Sequence, residues 1–260
     1  MLVLDLETKK QFSDVGGQNF AERLGVSLVG IYDYEKDTFR AFREEQIGEL
    51  LELIRARNKV IGFNIKAFDW KVLQPYSEAL SFRTVPTIDL MEDVANFLGF
   101  RVGLASLAET NLGESKSGHG LEAIRWYEEG NWEKLEKYCL DDVRLTRDLY
   151  EFGRKNRYVK VTNRNGSTTV VPVRWGAHEE KDIVDVLRRG QLARVPVSIE
   201  YIAAKSENDS FRQSLLVDVL SVLARKIEVR DYNTGKAQEL QLACVVDAKI
   251  AEVPRTHSLF

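Results

Sequence analysis

The chain opens on Leu2, Val3, Leu4 and Leu6, a nearly continuous apolar run interrupted only by Asp5. Such a run suits a strand buried on both faces better than one with a solvent side. Residues 24–34 and 38–42 are two further strand candidates, and the polar turn Glu35-Lys36-Asp37 between them predicts an antiparallel meander of three strands. Over 44–57 the period becomes helical, with Ile47, Leu50, Leu51 and Ile54 three and four residues apart. A short apolar strand follows at 59–63, then a helix from 67 to 80 that Pro75 should end or kink, then a strand at 85–90. From 91 to 155 the pattern is mostly helical, interrupted by the loop GESKSGHG at 113–120.

After about residue 156 the character changes. Stretches 158–161 and 168–173 flank Asn163-Arg164-Asn165-Gly166, a good hairpin turn. A helix is predicted at 178–189, then strands at 195–203, 215–223, 226–230 and 240–246, with a turn at 231–235. The order of elements predicts an α/β domain over 1–175 and a smaller β-rich domain over 176–260. Periodicity by itself supports only a mixed α/β class for the first.

Composition adds modest constraints. Of 260 residues 44% are hydrophobic and 30% charged, as expected of a globular protein with a real core. The formal net charge of −3 does not announce a nucleic-acid binder, nor does it exclude one that carries a local basic rim around an acidic centre. Cys139 and Cys244 belong to no CxxC or Cys/His cluster, and His119, His178 and His257 do not pair at metal-ligand spacing, which argues against zinc. The chain enters MLVLDLET without a basic leader, and no apolar run approaches the roughly 18 residues of a membrane span. A soluble cytoplasmic protein is therefore expected.

The candidate chemistry lies in carboxylates. Strand side chains alternate, so Asp5 and Glu7 share one face and Leu4 and Leu6 the other. Two acids on one face of a buried strand repel each other and are costly to desolvate, unless the strand end emerges into solvent. Further on, Leu135, Tyr138, Asp142, Leu145 and Leu149 recur at helical spacing and place an aspartate within an apolar stripe. Asp142 then needs an arginine or lysine from elsewhere, or a cation shared with Asp5 and Glu7. Tyr138 lies one turn before it. In GFNIKAFD, Asp69 falls where a strand passes into a helix, a place that also suits an acid serving only the helix dipole.

Taken in order, LVLDLET, GFNIKAFD and YCLDD resemble the three motifs of the DnaQ-like, or DEDD, 3′–5′ exonuclease superfamily, whose fold is ribonuclease H-like. The spacing of Tyr138 and Asp142 is similar to that of the DEDDy branch, whose sister branch would carry histidine where Lys137 stands. The middle motif looks most like that of family B DNA polymerase proofreading domains. The resemblance spans about residues 1–155.

It implies a ribonuclease H-like mixed sheet flanked by helices, and release of 5′-mononucleotides from the 3′ end of DNA or RNA. It implies two Mg²⁺ or Mn²⁺ ions, held by Asp5, Glu7, Asp69 and Asp142, with Asp5 bridging them. Glu7 and Asp142 would complete the site of the ion that activates water, Asp69 would hold the other ion largely through its waters, and Tyr138 would orient the attacking water. Asn64, Phe68 and Lys66 are candidates for contact with the nucleic acid, which should present a free, single-stranded 3′ end. Phe68 equally suits the core, and Lys66 a solvated surface. Trp126, Tyr127 and Trp132 are read first as packing residues. A helicase or polymerase partner is compatible with this reading. Val197-Ser198-Ile199-Glu200-Tyr201 and Ile227-Glu228-Val229-Arg230-Asp231, with a later apolar strand, make residues 193–253 resemble a WYL domain, a small β-barrel associated with ligand or nucleic-acid binding; an accessory β unit that stabilises the first domain fits the same alternation. The alternative is a nucleic-acid or ligand-binding regulatory protein that keeps an exonuclease-like fold.

Overall fold

A computed structural model describes residues 1–114, 120–163, 166–176, 180–207 and 210–252. Much of the 113–120 loop, the tip of the predicted 163–166 turn, the start of the predicted 178–189 helix and all three histidines lie outside the described residues. The chain forms two compact units, Met1–Glu151 and Phe152–Phe260. That boundary falls earlier than the 175/176 division expected from the sequence.

The first unit is built on a five-stranded mixed sheet. β1 (Leu2–Thr8), β2 (Val26–Asp33) and β3 (Thr38–Arg43) form the antiparallel meander, and β4 (Val60–Gly62) and β5 (Thr87–Asp89) add in parallel, giving the order β3-β2-β1-β4-β5. β1 is thus the central strand, which explains its apolar run: Leu2, Val3, Leu4 and Leu6 are all buried. On one face Leu2, Leu4 and Leu6 share a core with Ile47, Leu50, Leu51 and Ile54 of α1 (Ile47–Ala56). The other face carries the odd-numbered positions. There Asp5 pairs across the ladder with Gly30, and Glu7 with Leu28.

Four helices follow β5: α3 (Leu90–Leu98), α4 (Leu104–Leu112), α5 (Gly120–Glu128) and α6 (Trp132–Asn156). In α6 the expected stripe of Leu135, Tyr138, Asp142, Leu145 and Leu149 is buried throughout. Leu135, Tyr138 and Cys139 pack with Leu28 of β2 and Ala123 of α5, while Trp126, Tyr127 and Trp132 close the edge of that cluster. Gly30 sets how near α6 can come. A β-carbon there would stand 2.9 Å from Cys139 Sγ and 3.0 Å from Val143, so the helix rests on bare backbone at the position opposite Asp5.

The helix expected at 67–80 is far shorter. α2 spans Asp69–Leu73 and tightens into one 3₁₀ turn, Gln74–Tyr76, at Pro75, which has no N–H to donate to a further turn. Two 3₁₀ turns, Phe12–Val15 and Gln18–Arg23, occupy the connection after β1, where no periodic signal predicts them.

In the second unit β6 (Tyr158–Thr162) and β7 (Thr168–Pro172) form a separate hairpin. β8 (Val197–Glu207), β9 (Ser210–Val222), β10 (Lys226–Asp231), β11 (Ala237–Gln241) and β12 (Val245–Ile250) form an antiparallel sheet in the order β11-β10-β9-β8-β12. Ile183 and Leu187 of α7 (Glu180–Ala193) pack into its core. The single strand expected at 240–246 is two strand ends joined by the 3₁₀ turn Leu242–Cys244; an apolar run is blind to a turn made of apolar residues. β9 also starts before 215, because residues 212–214 are held by backbone pairing with β8, a contact that no apolar period announces.

Gly30→Ala should lower the unfolding free energy by ~1–3 kcal/mol by forcing α6 off β2. Urea denaturation of the variant checks this, and an unchanged midpoint would mean that the helix is free to shift.

Candidate active site

β1 delivers Asp5 and Glu7 to the face covered by α6. Glu7 is buried, and the ligand-capable atoms of Asp5, Glu7 and Cys139 all lie within 4.8 Å of one another. α6 delivers Tyr138 and Asp142, each 3% exposed. The Trp126 and Tyr138 rings pack edge-to-face at a centroid distance of 5.8 Å. Asp69, the first residue of α2, is also 3% exposed. A cleft of about 400 Å³ brings these groups together, lined by Asp5, Glu7, Asp69, Tyr138, Asp142 and Phe68 among others.

Burial and then the nearby Asp5 push the Asp69 carboxyl well above the usual carboxylate range, against opposing hydrogen bonds from the backbone of Asp69 itself and of Leu6. The Cys139 thiol is likewise pushed up, by burial first and then by Asp5, Glu7 and Asp142. Both shifts report the same condition, a crowd of negative charge with little water to screen it. Four carboxylates form a hard-oxygen donor set, which fits a divalent cation of the Mg²⁺ or Mn²⁺ type.

The segment between β4 and α2 forms one wall. Asn64 has a left-handed backbone (φ 64°), and a β-carbon at Gly62 would sit 2.6 Å from Ile65, so the turn closes tightly over a bare glycine. Asp89, buried at the end of β5, anchors the turn: its Oδ1 accepts from the Asn64 N–H at 2.9 Å and its Oδ2 from the Lys66 N–H at 3.0 Å. The same Oδ1 accepts from Glu92 N–H at 3.1 Å and so caps α3. Asn64 Oδ1 accepts from Arg101 at 3.1 Å, and both residues line a second opening of about 350 Å³ that shares Asp5 and Asp142 with the first.

Each residue singled out from the sequence can now be placed. Asp5, Glu7, Asp69, Tyr138, Asp142 and Phe68 line one cleft, and Asn64 lines the adjoining opening. Phe68 serves two surroundings, since it also meets Phe12 edge-on at 5.9 Å and packs on the main core. Lys66 lines neither opening; its ammonium pairs with Glu92 at 2.6 Å. Sequence reasoning missed Cys139, Arg101 and Asp89. Asp89 had a usable signal, a strand-ending aspartate three residues before Glu92 at a helix start. Nothing in the local pattern marks Arg101.

A family model described as the RNase_H superfamily matches residues 11–152. No curated protein matches the chain. Among solved structures, a family B DNA polymerase from the hyperthermophilic archaeon Pyrobaculum calidifontis is similar over 58% of this chain and 24% of its own, with 18% identity and a TM-score of 0.47. Proteasome accessory factor B/C of Arthrobacter aurescens is similar over 61% of this chain and 21% of its own, with 16% identity and a TM-score of 0.25. The chain therefore spans less than a quarter of either protein.

A raised carboxyl pKa favours the fold below the unfolded value and costs stability as pH climbs through the folded one. Metal-free protein should therefore lose stability from about pH 4 upward on account of Asp69, starting at the ordinary aspartate value. Asp69→Asn cannot ionise and should raise the metal-free melting temperature at pH 7 by ~2–6 °C, with little gain at pH 4. Thermal melts in chelator across that range decide it; a lower Tm at pH 7 would contradict the crowding of negative charge.

Proposed function

The chain belongs to the RNase_H superfamily, and on that premise we propose that it is a metal-dependent 3′–5′ exonuclease of the DEDDy branch, acting on single-stranded ends of DNA or RNA. The observation that carries this reading is the convergence of Asp5, Glu7, Asp69 and Asp142, from three separate parts of the chain, with the Tyr138 ring on one cleft. Four carboxylates on one cleft offer the oxygen donors that a divalent cation takes, and a helix-borne tyrosine beside them has a use if water must be held for attack.

In this reading Asp5, Glu7, Asp69 and Asp142 hold two Mg²⁺ or Mn²⁺ ions. Bound there, the ions supply a water acidic enough to act at neutral pH and relieve charge on the phosphoryl group. Tyr138, packed edge-to-face with Trp126, orients that water through its hydroxyl. Asn64 and Phe68 hold the terminal nucleotide, the first by polar contact and the second by its ring. Arg101, beside Asp5 and Asp142 and already bonded to Asn64, meets the phosphate that approaches through the second opening. The family premise supports a nucleic-acid substrate; the polarity of attack and the single-stranded preference rest on the motif resemblance.

Residues 176–260 are read as an accessory β domain of WYL-like kind, with a five-stranded sheet and one packed helix in support. No helix among the described residues is long and apolar enough to cross a membrane.

Incubation with 5′-labelled single-stranded DNA or RNA and Mn²⁺ should give a ladder shortening from the 3′ end, with 5′-mononucleotides as products, and chelator should abolish it. Asp5→Ala and Asp142→Ala should each lower the rate at least ~10³-fold while the fold persists, and Tyr138→Phe only ~10–100-fold. Undiminished hydrolysis by folded Asp142→Ala would sink the assignment.

A further inference from the structure

Beyond the carboxylate cleft, α2 presents a second surface to the free edge of the sheet. A cavity of about 470 Å³ lies there, lined by residues of α2, the 3₁₀ turn Phe82–Thr84 and the edge strand β5. Its floor is apolar: Trp70 and Phe82 stack at a centroid distance of 4.7 Å with 19° between their planes, and both are buried. Trp70 Nε1 donates to Thr87 Oγ1 at 3.2 Å, which ties the floor to the edge strand. The rim is cationic. Lys66, Lys71 and Arg83 are all exposed on it, with Gln74 also in the lining, and among the described residues no carboxylate lines the cavity.

Lys66 shares its charge with Glu92. Lys71 and Arg83 have no carboxylate within ion-pair distance among the described residues. Cations commonly guard an open sheet edge, but that duty needs no cavity behind them. Here they surround a concave, aromatic-floored space in a chain whose formal charge is −3, so the positive field is local.

The cavity neighbours the carboxylate centre along the chain. Asn64 lines the opening that holds Asp5 and Asp142, whereas Lys66, two residues on, lines the cavity. Two residues reach at most ~7.2 Å even when extended, so the linings of the two openings are neighbours along this turn. Asp89 accepts from the backbone N–H of both residues, so the spacing between the two openings is fixed rather than floppy.

We propose that this cavity is a second nucleic-acid contact, which takes the sugar-phosphate backbone of the substrate strand a few nucleotides on the 5′ side of the reacting end. Lys66, Lys71 and Arg83 meet phosphates, and the Trp70–Phe82 floor lies beneath a sugar or base edge. The choice of strand and its direction rest on the exonuclease reading; the affinity of the cavity for single-stranded nucleic acid does not.

The test separates the two. Full-length protein and a Lys71→Ala/Arg83→Ala variant are compared in chelator for binding to a fluorescent twenty-nucleotide oligothymidylate at rising salt. They are compared again with Mn²⁺ for hydrolysis of the p-nitrophenyl ester of thymidine 5′-monophosphate, which engages only the carboxylate centre. The variant should bind the oligomer about tenfold more weakly at ~50 mM salt, and its log–log salt slope should shrink by about 1.4, two phosphates at ~0.7 each. Its turnover of the small ester should match that of the parent. A Lys36→Ala/Lys59→Ala variant, with the same charge change elsewhere, should keep the parental slope. Equal affinity and slope in parent and cavity variant would overturn the proposal, as would an equal loss in the charge control or cavity-dependent binding of polyglutamate in place of the oligomer. If the parent fails to cleave the ester while the cavity variant still loses oligomer affinity and slope, the exonuclease reading falls and the binding site stands.

Discussion

Carboxylates held together in a partly dry cleft repel one another, and the first unit is arranged around that repulsion. Asp5 and Glu7 lie on the central strand, where neighbours on both sides fix the backbone. Asp69 and Asp142 come from helices and are nearly sealed from water. Without a cation such a group is a liability, since desolvation and like charge both disfavour ionisation. The Asp69 carboxyl records that cost in its upward shift. A site of this kind stores a demand for positive charge, and the fold supplies the rigidity that keeps the demand from being relieved by the acids moving apart.

Two backbone details provide that rigidity. Gly30 lets α6 settle onto β2 so closely that Cys139 touches the strand, and this sets Asp142 and Tyr138 beside Asp5. Asp89 does the same for the opposite wall, spending both carboxylate oxygens on backbone N–H groups of the 64–66 turn and of α3. Asp69 and Asp89 are both buried aspartates at the junction of a strand or turn with a helix, yet their surroundings divide their roles. Asp89 is saturated by donors and holds structure. Asp69 accepts from its own backbone N–H and that of Leu6, and lies close enough to Asp5 to feel its charge.

The elements that were legible in the sequence are those whose burial follows a period. The alternation in β1 placed Asp5 and Glu7 on one face, and the α6 stripe placed Tyr138 and Asp142 inward, because a side chain's direction follows from spacing alone in regular structure. The meander of β1 to β3 was legible for the same reason. What escaped was set by long-range contact or by turn chemistry. The 3₁₀ turns after β1 have no period to read. α2 is cut short by Pro75, and Leu242–Cys244 is an apolar turn that resembles a strand until its hydrogen bonds are known. Cys139 and Arg101 reach the centre only through tertiary packing. Lys66, read from its neighbourhood in the motif, lines neither acidic opening and pairs with Glu92, a contact that no local pattern announces.

Net charge was the least informative quantity, and the fold shows why. At physiological ionic strength screening attenuates the field of an exposed charge over ~8 Å, so what an approaching ion meets is set by the charges nearest to it. Acids line one opening and cations the rim of the other, on either side of one short turn. A polyanion meeting this surface responds to local potentials rather than to the sum of −3. One buried carboxylate, Asp89, fixes the turn that carries Asn64 and Lys66, so the acidic and the cationic lining keep a constant relation to each other.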